Sequence, residues 1–82
     1  MTVLFRKPWE YTLYRDGDRH FFSVLCGSVA LYEVVVELTK EELSAWLSDG
    51  EIALDHLGSR IRNSPGAFKA RAIVDFHPEE EE

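Results

Sequence analysis

The groups best suited to chemistry in this sequence are one thiol, Cys26, and two imidazoles, His20 and His56, that could serve it as a base. His20 and Cys26 share a face of one extended segment, but that stretch of strand sets them roughly 20 Å apart, beyond what one metal ion bridges. A nucleophilic Cys26 would therefore need His20 or His56 to approach it through folding, together with an unusually low thiol pKa. No cation or helix start is expected beside Cys26. Its expected role is a small buried hydrophobe, with both histidines at the surface or its boundary.

Asp16-Gly17-Asp18 opens like a calcium loop and fails as one. Counting from Asp16 puts Phe21 where the sharp-turn glycine belongs and Gly27 where the bidentate glutamate belongs. The sequence carries no glycine-rich phosphate loop, zinc-ligand spacing, HExxH helix or nucleophile elbow. Glu41 and Glu42, like Asp49, Glu51 and Asp55, fall where helix starts favour acids, which accounts for them without acid/base catalysis. The expectation is a non-enzyme with no catalytic residue, no metal site and no cofactor.

The net charge of −6 overstates the acidity of the folded part, because Glu79 to Glu82 supply four of the fifteen acids and leave eleven against nine bases. One domain is expected over residues 1 to 77, with 78 to 82 as a solvated, disordered acidic tail. Arg60, Arg62, Lys69 and Arg71 surround Asn63-Ser64-Pro65-Gly66 and form a candidate anion-binding cluster. The acidic balance, the lack of interleaved aromatics and the helix-dipole role of Arg60 and Arg62 count against nucleic acid, and leave a weak nucleic-acid binder through this loop cluster as an alternative. A lone cysteine closes no internal disulfide, and the first residues show no apolar run behind a basic region. Val29 to Leu38, the longest apolar stretch, is interrupted by Glu33 and Glu37 and too short to span a bilayer. The cytoplasm is the expected compartment.

Any site must be positioned by the elements that periodicity prescribes. Trp9 to Tyr14 and about Arg19 to Cys26 alternate as strands around the Gly17 turn. An even loop pairs Leu13 with Phe22, Tyr11 with Val24 and Trp9 with Cys26; a slip of one residue would set Ser23 against Tyr11. A third strand, about Val29 to Leu38, turns Ala30, Tyr32, Val34, Val36 and Leu38 inward. A three-residue loop or a bulge near Gly27 then pairs Val24 with Tyr32 and Phe22 with Val34, keeping Glu33 out of the core.

Thr39-Lys40-Glu41-Glu42 spells a capping box, with Leu38 and Leu43 as its hydrophobic staple. Leu43, Trp46 and Leu47 stripe this helix and Asp49-Gly50 ends it. A second helix from about Glu51 to Arg62 turns Ala53 or Leu54, then Leu57 and Ile61, inward, and Gly58 admits a close neighbour. Phe68 to Phe76 alternates again as a fourth strand. The expected fold is α+β, in the order β-β-β-α-α-β: an antiparallel four-stranded sheet with two helices on one face, the last strand beside the third or the first. Trp9 and Trp46 are both expected in the core.

The helices shelter one face of this sheet, and the outward face carries Tyr14, Phe21, Leu25, Val29, Leu31, Val35 and Ile73. That set is too apolar for water alone, unless Val3 and Phe5 fold back over it. The expected function is a protein-interaction module that self-associates through this face as a homodimer or binds another protein, with no small-molecule ligand and no membrane partner. Small size and acid content also admit an immunity-type or inhibitory partner of a basic protein.

Overall fold

The structure, a computed structural model, describes residues 1–27 and 29–76; the acidic tail expected from 78 to 82 lies outside them. Four strands, β1 (Thr2–Lys7), β2 (Tyr11–Asp16), β3 (Arg19–Cys26) and β4 (Tyr32–Glu37), form one antiparallel sheet in the order β1-β2-β3-β4. Helices α1 (Lys40–Asp49) and α2 (Glu51–Asn63) follow, then a 3-10 turn at Pro65–Phe68. The class is the expected α+β, with an antiparallel four-stranded sheet and two helices. The element order is β-β-β-β-α-α, because the fourth strand comes from the N-terminus rather than from Phe68 to Phe76.

The first strand hides its period behind a bulge. Val3 opposes Tyr14 and Phe5 opposes Leu13, so Leu4 is the extra residue. Leu4 and Phe5 can thus both pack on the helix side, while Val3 packs on the other. Of the two residues named as the alternative cover for the outward face, Val3 packs there and Phe5 does not.

At the other terminus the alternating pattern does not become a strand. Arg71 and Ala72 donate turn-type hydrogen bonds to Phe68 O at 3.0 Å and Lys69 O at 3.2 Å. One antiparallel bridge then joins Ala72 to Val36, and Ile73 N donates to Val35 O at 2.7 Å. The segment therefore lies beside the strand expected as third, and it leaves that edge almost at once. Asp75 takes a left-handed φ of +57°, Val74 is exposed, and Phe76 crosses to the outward face, its ring 5.6 Å from Tyr14 and 5.5 Å from Phe21.

Pairing of β2 with β3 matches Leu13 to Phe22 and Tyr11 to Val24 as expected. Between β3 and β4, Val24 opposes Val34 and Phe22 opposes Val36, two residues further along than expected. An even shift leaves each side chain on its expected face while changing its neighbour. Gly27 makes the longer connection feasible: it sits at φ +97°, and a Cβ there would run into the Ala30 carbonyl.

The capping box of α1 is formed, with Glu42 N donating to Thr39 Oγ1 at 3.2 Å and Thr39 N to Glu42 Oε1 at 2.9 Å. Yet α1 buries no residue fully; Leu47 is exposed, and Trp46 reaches Phe5 edge-on at 6.1 Å. Helix α2 supplies the main cover, burying Leu54, Leu57, Gly58 and Ile61 over the sheet. No helix among the described residues is long and apolar enough to cross a membrane.

Candidate functional site

The outward sheet face divides in two. Tyr14, Phe21 and Val35 are buried in a second small cluster, closed within the chain by Met1, Val3, Ile73 and Phe76. Of the residues expected to form an interface, Leu25 is half-buried and only Val29 and Leu31 are exposed. The C-terminal segment is the physical reason: after one bridge on β4 it crosses over and covers the rings nearest the β2–β3 turn. The half of the face nearer the β1–β2 turn has no such cover among the described residues.

On this open half Arg6 opposes Thr12, Thr12 opposes Ser23, and Leu25 opposes Glu33. Together with Trp9 they line a concave surface of about 300 Å³. The two-residue shift in β4 sets Leu25 against Glu33, where pairing Val24 with Tyr32 would have set it against Leu31.

Trp9 is the largest departure from the sequence reading. It lies in the turn between β1 and β2 and is 84% exposed. Pro8 cannot continue β1, and Glu10 N donates to Lys7 O at 3.0 Å, with Trp9 at φ +67°. Proline at the second position and positive φ at the third is the pattern of a type II turn, in which the third position ordinarily belongs to glycine. A large L-residue there carries a cost of about 1–2 kcal/mol.

Both flanks of the turn are tied down. Lys7 Nζ lies 3.2 Å from Asp55 and 3.6 Å from Glu51 on α2, and Glu10 meets Arg62 at 3.3 Å. Leu25 N donates to Glu10 O at 2.8 Å, and the Tyr11 hydroxyl donates to Asp55 at 2.6 Å. Burial, followed by that hydrogen bond, pushes the Tyr11 phenol well above its ordinary pKa of 10.0, while Tyr11 and Lys7 hold Asp55 below its ordinary 3.8. Each exposed ion pair is weak alone, but the set fixes where the turn points.

The groups singled out for chemistry do not converge. Cys26 is buried, its thiol raised by burial despite Arg62, and its Sγ faces Val24 O at 3.7 Å rather than an imidazole. Among the described residues no three His, Cys, Asp or Glu side chains are grouped to hold a metal ion. The four cations near the Pro65 turn are likewise dispersed. Arg71 makes two hydrogen bonds to Glu42, at 3.0 and 2.7 Å, and one to Glu37 O at 2.9 Å. Arg62 pairs with Glu10, Arg60 lies over the Phe68 ring at 5.7 Å, and Lys69 borders a groove beside β4.

No family model, curated protein or solved structure matches this chain.

Proposed function

We propose that the chain is a non-catalytic protein-interaction module that contacts its partner with Trp9 and the open half of the outward sheet face. One observation carries this reading: a tryptophan is exposed, on a braced turn, at a backbone position where glycine would cost less. Exposed tryptophan on a rigid support is the side chain most able to anchor an interface, since little conformational entropy is lost when it is covered. Backbone strain retained at an exposed residue points in the same direction. Thr12, Ser23, Arg6 and Glu33 around Leu25 give the polar surround that such an anchor needs.

The Trp9→Gly variant tests the proposal, because stability and binding should move in opposite directions. Its thermal midpoint should equal or exceed that of the parent, while proteins retained by the parent on an affinity column should be lost. A variant that keeps every partner, or that unfolds more readily, would show that Trp9 serves the fold.

Self-association is a second reading, favoured by the exposure of Val29 and Leu31 on the β3–β4 connection at the same end of the sheet. Sedimentation over a concentration series should then reveal a dimer that dissociates in Leu31→Lys. Phe21 is unsuitable for this test: it is 3% exposed, so a charge there would unfold the chain.

A further inference from the structure

We infer that the free edge of β4 at Glu33 accepts an extended, partly acidic peptide segment of a partner protein as an added strand. This goes beyond the Trp9 contact: the Glu33 side chain faces that surface, but its main chain faces the edge.

Register decides which groups are free. Leu38 N donates to His20 O, so alternate residues of β4 bond to β3, and Glu33, Val35 and Glu37 turn their main-chain groups outward. Ile73 N takes Val35 O, and the Arg71 guanidinium takes Glu37 O. Glu33 N–H and C=O, next along the edge, have no partner among the described residues. The chain thus begins a fifth strand on this edge and abandons it after one bridge.

Beside the vacated stretch lies a groove of about 300 Å³ lined by Tyr32, Val34, Pro65, Gly66, Lys69 and Ala72. Its walls are almost entirely apolar, and the Lys69 ammonium at its border has no ion pair among the described residues. Strand addition draws affinity from main-chain bonds and selectivity from alternate side chains. The matching ligand places an apolar side chain in the groove and a carboxylate near Lys69. A second β4 is a poor occupant, since two-fold pairing centred on Glu33 would oppose two carboxylates, the charge device that blunts edge strands.

The test selects binders from a display library of random heptapeptides. Enriched peptides should alternate β-branched or aromatic residues and include an Asp or Glu. A synthetic copy should bind with at least about tenfold loss in Glu33→Pro, which removes the edge N–H without touching the ladder to β3, and little change in Glu33→Gln or Trp9→Gly. N-methylation of the peptide at alternate residues supplies the same test without altering the protein, and one methylation phase should abolish binding. The inference is overturned if the library yields no binder, if both methylation phases bind like the parent peptide, or if Trp9→Gly alone removes binding. The last result would leave the Trp9 reading standing. A self-dimer lost in Glu33→Pro would also overturn it, by showing that the edge pairs with itself.

Discussion

The Tyr11 hydroxyl and the Asp55 carboxylate, 44 residues apart in sequence, are 2.6 Å apart in the structure. This bond joins the start of β2 to the first half of α2, beside the turn that presents Trp9. Tyr11→Phe removes it while keeping the buried ring, and should cost about 1 kcal/mol in urea unfolding near neutral pH.

The pH dependence of that cost follows from both partners. Asp55 is held below its ordinary 3.8, so its contribution is present above that value and is lost as pH falls through the lower folded value. Tyr11 is raised above its ordinary 10.0, so its contribution is complete below that value and declines as pH rises beyond it. The stability gap between parent and Tyr11→Phe should be level from about pH 5 to pH 9 and narrow on either side, as chemical denaturation across pH would show.

Glu42 closes the capping box and chelates Arg71, so it should matter more than the cap alone. Thr39→Ala should cost about 1 kcal/mol and Glu42→Ala about 2 kcal/mol by urea titration. Burial pushes Glu42 up, but the Arg71 guanidinium and the Thr39 N–H outweigh it and hold the carboxyl below 4.5. Its contribution is therefore present above pH 4.5 and is lost as pH falls below it, and Arg71→Ala should flatten that decline.

Gly58→Ala sets helix propensity against packing. The substitution would stabilise an exposed helix by about 1 kcal/mol, but here the new Cβ would lie 3.3 Å from Tyr11 Cδ2 and 3.4 Å from Arg62 Nη2. The Tyr11 ring is buried and its hydroxyl is bonded to Asp55, so it has little room to yield. A net loss of about 1 kcal/mol is expected, and Gly58→Ala combined with Tyr11→Phe should lose less than the sum of the two single variants, because the ring freed from Asp55 can yield.

Cys26 should behave as an inert thiol. With burial raising its pKa, reaction with a disulfide reagent at neutral pH should be slow in buffer and accelerate sharply in denaturing urea. Rapid modification of the folded protein would revive the nucleophile reading.

Local physics made several elements legible in the sequence alone. Thr39 and Glu42 satisfy orphan helix donors wherever the helix lies, Gly50 ends α1, and the facing of Leu13, Phe22 and Val24 follows from period two. Trp9 reads as a strand residue because its spacing to Tyr11 and Leu13 continues that alternation, and Pro8 is the local sign of the turn. β1 shows no period of two in the sequence because its bulge puts Leu4 and Phe5 on one side.

Residue type and spacing determined by themselves the α+β class, the inner faces of β2, β3 and β4, the two helices and the capping box, since each depends on contacts within a few residues or on one repeated period. Tertiary structure alone decided that Phe76 covers Tyr14 and Phe21, that the Glu33 main chain has no partner among the described residues, and that Trp9 stands exposed on a braced turn. Those outcomes rest on which distant segments meet, through Arg71 with Glu42 and Lys7 with Asp55, and no local period encodes such meetings.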